Sequence, residues 1–206
     1  MSISGFKRKT IQKSYDNHLK HAGKAVKKMP ESIKHIGILA DSRLFGSYDI
    51  SRNLSQKLNV ESKNFEIIIF ENLKDDFVTQ HYNTFNENDF GMFGKIKAQN
   101  VSGFIASEFD LLINYSNQSS LFMNMVALLS KARFKVGFAN EELHDLYDFM
   151  IAVEGNKIDV FNDELAKYLQ IMGFIQKVAV KAWSGKENRF IVAIIRTLWI
   201  HSTEPE

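Results

Sequence analysis

Apolar and polar residues fall in blocks along this chain, and the period changes from block to block. Between residues 4 and 29, Ile11, Tyr15, His18, Ala22, Val26 and Met29 recur at helical spacing, which predicts a helix with a thin apolar stripe. Pro30 stops it, because the ring disfavours helical geometry at Met29 and offers no backbone N–H. With so thin a stripe, the helix is expected to protrude, packing loosely or at one end only.

From Ile33 onward the pattern is that of strands alternating with helices. HIGILA (35–40), FEIIIFE (65–71), FDLLINY (109–115), FKVGF (134–138) and YDFMIAV (147–153) are short apolar runs, as expected of strands buried on both faces. Helices are predicted over SYDISRNLSQKL with Ser47 or Asp49 as cap, over VSGFIAS (101–107), and over SSLFMNMVALLSKA (119–132). A last one covers DVFNDELAKYLQIMG (159–173), with Phe161, Leu165, Tyr168, Leu169 and Met172 on one face and Gly173 at its end. The stretch NLKDDFVTQHYNTFNENDFGMFGKIKAQ reads as a partly ordered connection, because its glycines and aromatics follow no single period.

This alternation predicts an α/β fold. The chain reads as a single Rossmann-like domain over 31–175, with a mostly parallel sheet, right-handed crossovers and helices on both faces. Residues 1–30 form a basic amphipathic N-terminal helix beside it. Residues 176–206 form an extension in which RFIVAIIRTLWI is either a buried helix, a strand, or a tail outside the core. That run contains Arg196 and is too short to span a bilayer.

Composition narrows the chemistry. Of 206 residues 45% are apolar, enough for a core rather than a disordered chain. There is no cysteine, which removes disulfides, thiolate metal sites and cysteine nucleophiles, and suits a reducing cytoplasm. The N-terminus has no apolar stretch of signal-peptide length, and no apolar run reaches the length of a membrane span.

Charge adds an asymmetry. The chain as a whole stands at +2, yet residues 1–30 hold Lys7, Arg8, Lys9, Lys13, Lys20, Lys24, Lys27 and Lys28 against Asp16 alone. The rest is therefore net acidic. Lysines gathered on one helix attract phosphate polymers by counterion release. The same side chains on a solvated helix lying against an acidic body would form only weak ion pairs. Stable insertion into a membrane surface needs larger apolar residues opposite the lysines than this stripe provides, although peripheral contact stays open.

Two polar loops supply the other candidate site. In an open parallel sheet, ligands sit beyond the carboxyl ends of the strands where the strand order reverses. ADSRLFGS and NYSNQSS fall at such ends, offering Asp41, Ser42, Arg43, Asn114, Ser116, Asn117 and Ser119. Helix N-termini there suit a phosphate or carboxylate, and Arg43 could clamp it bidentately. Simple helix capping accounts for the same Ser, Asn and Asp residues.

Several other signals carry little. No G-x-G-x-x-G follows either strand, and SGKE (184–187) lacks the first glycine and the metal-binding Ser/Thr of a phosphate loop. Glu141, His144 and Asp145 could share a helical turn, as an acid–base pair or hard-metal site, or simply form a solvated turn. His18 and His21 sit among lysines, a setting that repels cations. No catalytic residue, metal or cofactor is expected.

FDLLINYSNQSSLFMNMVALLSKARFKVGF, with KDD and NDFGMFGKIK before it and FNDELAKYLQIM after it, resembles a family of small uncharacterised proteins from Bacteroidota, over about residues 1–175. The same segment is similar to the N-terminal Rossmann-like half of heptosyltransferase-type glycosyltransferases. In those, a strand ending in Asp or Asn leads to a helix and then a K/R-x-x-G-F strand. Lys135, Val136, Gly137 and Phe138 approximate that ending. The resemblance implies a half-domain fold. It carries no catalytic residue over, because those transferases place the sugar-nucleotide site in a second domain that this chain is not expected to hold.

Two functions follow as expectations. The first is a non-catalytic cytoplasmic accessory protein docking through the N-terminal helix on RNA, a ribonucleoprotein or an acidic protein. The second is a protein that binds a phosphate or sugar nucleotide in the crevice between the two polar loops.

Overall fold

A computed structural model describes residues 3–22, 28–45, 49–72, 82–116, 119–153, 157–176 and 193–195. Its centre is a sheet in the order β3-β2-β1-β4-β5-β6-β7. The strands are β1 (Ile36–Asp41), β2 (Phe65–Phe70), β3 (Thr84–Phe85), β4 (Leu111–Tyr115), β5 (Phe134–Phe138), β6 (Phe149–Ile151) and β7 (Ala193–Ile195). The first six pair in parallel, and β7 adds an antiparallel edge to β6. The apolar runs read from the sequence are thus the strands of an α/β parallel sheet.

The period-two alternation of each strand sorts its side chains into two cores. Ile36, Ile38 and Ala40 face one way, with Leu111, Ile113, Tyr115, Phe134, Val136 and Phe138. Against them lie α3 (Ile50–Leu58) and α6 (Ile158–Ile171), through Ile50, Leu54, Leu58, Phe161, Leu165 and Leu169. Leu39, Ile68, Phe70 and Leu112 face the other way, towards α4 (Gln99–Ala106) and α5 (Leu121–Leu129). The α5 helix is buried almost all round, from Leu121 to Leu128, because the N-terminal helix covers its outer side.

That N-terminal helix, α1 (Ile3–Ala22), corrects the expectation of a protruding arm. Ile11 is fully buried and Tyr15 and Thr10 nearly so, with Leu19 packed on the same cluster. The buried stripe is Ile11–Tyr15–Leu19. His18 and Ala22, placed in the stripe from sequence, are exposed. Each large apolar side chain fully buried stabilises by roughly 1.5–3 kcal/mol. Two such anchors hold a helix whose stripe looks thin on paper. Residues 28–30 are not helical, so Lys28 lies off α1, while residues 23–27 fall outside the described residues.

The unassigned stretch 72–99 proves to hold the strand β3 at its centre, followed by the short 3-10 turns Glu87–Asp89 and Met92–Gly94. A two-residue strand leaves no periodicity to read. The Met92–Gly94 turn lies against α1 and α5. Phe93 takes a left-handed conformation with φ of 59°, and Gly94 one with φ of 77°. The φ favours glycine at 94; a Cβ there would also stand 2.7 Å from the Met125 Cε, the movable end of a flexible side chain. Phe93 has no such excuse; a bulky residue there costs about 1 kcal/mol or more in backbone strain.

Candidate functional site

The strand order reverses between β1 and β4, each of which continues outward to a different side of the sheet. Ala40 pairs with Tyr115, so the two polar loops leave neighbouring strands at the same end. The expected crevice position is therefore where both loops start.

Its charged groups are turned on each other. Asp41 is buried, and its Oδ1 accepts from the Arg43 backbone N–H at 3.0 Å and from Nε at 2.9 Å, while Oδ2 accepts from Nη2 at 2.5 Å. The bidentate clamp expected of Arg43 closes on the chain's own carboxylate. What reads as the loop ADSRLFGS is a four-residue helix, α2 (Ser42–Phe45), starting directly at the strand end. Ser42 is buried in it.

Asn114 is buried on the α5 side of β4, and its amide donates to the Tyr147 hydroxyl at 2.5 Å. Its Oδ1 is sealed from solvent and, among the described residues, has no hydrogen-bond partner; the same holds for the Tyr15 hydroxyl. Burial raises both tyrosines above the ordinary phenol range, Tyr15 to about 12 with a smaller push from Asp16 and Asp145. Ser119 accepts from the amide of the buried Asn124 at 3.2 Å. Ser116 lies just past β4, and Asn117 falls outside the described residues. The structure thus brings Asp41, Ser42, Arg43, Asn114 and Ser116 to one end of the sheet.

Between α1 and the start of α5 lies a pocket of about 320 Å³, lined by Arg8, Gln12, Tyr15 and Asp16 from α1 and by Ser119, Asn124 and Glu142 across it. It forms only because α1 is docked on α5, a long-range contact that local spacing does not announce. Glu141 and Asn140 belong to a 3-10 turn, Glu141–Leu143, in which Asn140 accepts from the Glu142 N–H. His144 Nε2 stands 3.3 Å from Asp145, on an exposed turn. Among the described residues no group of three His, Asp or Glu could hold a metal ion.

The second candidate surface is the outer side of α1. Lys7 donates to the Glu87 carbonyl at 2.9 Å, and the Arg8 guanidinium lies 5.9 Å from the Phe122 ring centre. These two fasten the helix to the body. Lys9, Lys13 and Lys20 point outward, exposed. Their spacing of one turn and then two turns puts them in line, opposite Ile11 and Tyr15. Among the described residues none of the three meets a carboxylate within ion-pair distance. The one acid on the helix, Asp16, accepts from Gln12. Lys28 pairs with Glu31 at 3.5 Å in full solvent, and Lys24 and Lys27 lie outside the described residues.

Two exposed aromatics stand near the start of this line, Phe6 on α1 itself and Phe93, which sequence pattern alone did not single out. Phe93 is 66% exposed and Phe6 50%, and the Phe93 N–H donates to the Thr10 hydroxyl of α1 at 3.2 Å. The glycines flanking the pair in GMFG were the available signal: they mark a turn, and a turn between glycines presents whatever it carries.

The family model described as a family of unknown function (DUF6913) matches residues 7–172, and the chain belongs to that family. No curated protein and no solved structure matches the chain.

Proposed function

We propose that this protein docks on an anionic partner through the outer face of α1, as a non-catalytic cytoplasmic accessory protein. The observation that carries the reading is that Lys9, Lys13 and Lys20 line the exposed side of a helix whose inner side is anchored, and among the described residues none of them is within ion-pair distance of a carboxylate. Exposed surface pairs contribute little to stability. A line of unpaired ammonium groups therefore does more for an encounter with a polyanion than for the fold, because each phosphate neutralised releases a counterion. RNA or a ribonucleoprotein is the partner class that fits best, and an acidic protein comes second.

The test replaces Lys9, Lys13 and Lys20 by Gln in the full chain and measures RNA binding against salt. The expected result is weaker binding and a slope of log affinity on log salt that falls by about 0.7 per lysine for single strands. Unchanged affinity and slope would sink the reading.

A second reading is a phosphate or sugar-nucleotide ligand at the carboxyl ends of β1 and β4, as in a protein related to glycosyltransferase half-domains. It is favoured by the reversal of strand order there and by the buried Asn114 Oδ1, which has no partner among the described residues. Against it, Arg43 is already clamped on Asp41. A rise in thermal midpoint with millimolar phosphate or sugar nucleotide would support it.

A further inference from the structure

We infer that the partner is single-stranded RNA, whose phosphates follow the lysines of α1 while an unpaired base stacks on Phe93, with Phe6 as a second platform. This rests on the docking reading and adds to it the class of partner and the residues that recognise it. Three observations on the Met92–Gly94 turn lead there. Phe93 is exposed, where its ring contributes little to the core. It occupies a left-handed backbone conformation that glycine or asparagine would adopt with less strain. And the turn that presents it is fixed, by its N–H to the Thr10 hydroxyl and by Gly94 wedged against Met125 and Ser14. A strained, fixed and solvent-facing ring is a feature the fold does not need.

Its position gives it a use. Thr10 is one turn beyond Phe6 and three residues before Lys13, so the Phe93 turn meets α1 beside the lysine line. Lys95, exposed, follows two residues after Phe93. Aromatic platforms beside a cationic track are the chemistry of single-strand recognition: the track holds the backbone and each ring accepts a base face of any sequence. A duplex would offer only phosphates, because its base faces are already stacked. An anionic membrane fits less well, since Ile11, Tyr15 and Leu19, the apolar side that an interfacial helix would insert, are committed to the body.

The experiment measures binding of a labelled single-stranded oligoribonucleotide, the matching RNA duplex, and anionic lipid vesicles to the full chain and to Phe93→Gly and Phe93→Asn. Both variants keep the left-handed turn and remove the ring, so the fold is expected to be retained, with a thermal midpoint at or above the parent's. Single-strand affinity is expected to fall about fivefold to a hundredfold in both, with the salt slope unchanged. Phe93→Tyr is expected to bind as the parent does. Equal binding by the ring-less variants, equal affinity for the duplex, or binding to vesicles but not RNA would each overturn the inference. In the first two cases the docking reading survives if the lysine variant still loses affinity. It falls separately if that variant binds RNA and every other polyanion unchanged.

Discussion

Asn114 and Tyr147 meet through a hydrogen bond of 2.5 Å made inside the protein, from the amide of a central strand to a phenol beyond the sheet. The contact is possible because Gly137 lies opposite Asn114 on the neighbouring strand. Without a Cβ there, the Tyr147 ring packs close against Gly137 and its hydroxyl reaches Asn114. A Cβ on Gly137 would sit 2.7 Å from the ring carbons. The glycine of KVGF, which the resemblance to glycosyltransferase half-domains singles out, has in this chain a packing role.

Gly137→Ala is therefore expected to destabilise the fold by about 1–3 kcal/mol, the usual range for overpacking a close-packed site. Urea unfolding checks it. A double-mutant cycle with Tyr147→Leu should show strong coupling, because the clash needs both partners. Additive effects would mean that the ring does not rest on Gly137.

Tyr147→Phe keeps the ring and removes the hydroxyl, leaving the buried Asn114 amide without its acceptor. The expected cost is about 1–3 kcal/mol. Adding Asn114→Leu should recover much of it, since removing both polar partners is cheaper than stranding one. A single substitution as mild as a surface change would show that water already reaches Asn114.

Alkaline pH tests Tyr15. Its hydroxyl is buried with no partner among the described residues, and its pKa is raised to about 12 by burial, helped by Asp16 and Asp145. In the unfolded chain a tyrosine ionises near 10. The unfolded state thus loses its proton first, and stability falls as pH rises from about 10 towards 12. Tyr15→Phe should make that part of the profile shallower, the remaining slope coming from the buried Tyr147, and be neutral or stabilising at pH 7. A loss of stability at pH 7 would show that the hydroxyl has a partner in solution.

Asp49 caps α3 by accepting from the Arg52 N–H at 3.0 Å and from the Ser51 hydroxyl at 2.8 Å. The Arg52 N–H first, and Ser51 second, hold its carboxyl below the ordinary range. Asp49→Ala is expected to lose about 1 kcal/mol in thermal or urea unfolding at neutral pH. The difference from the parent should shrink as pH falls through the depressed pKa, because protonation abolishes the same charge. A constant difference down to low pH would assign the loss to helix propensity and not to the cap.

The order of residues alone set the class of fold and most of its elements. Five apolar runs became strands and the amphipathic blocks became helices, because burial on two faces or one imposes a period that can be read locally. Asp49 was legible as a cap for the same reason, since a cap is an affair of neighbouring residues. It also placed Asp41, Arg43, Asn114 and Ser116 at the ends of β1 and β4, which their positions after the apolar runs dictate. Their partners emerged with the fold: Arg43 turns back two residues to Asp41, a local contact, whereas Asn114 finds Tyr147 over β5, a pairing set by which strands adjoin. The fold alone also set α1 against α5, sealing Ile11 and Tyr15, leaving Lys9, Lys13 and Lys20 outside, and bringing the Phe93 turn to Thr10 of the same helix. A side chain's charge and size are local properties, whereas its exposure and its partner depend on residues far along the chain.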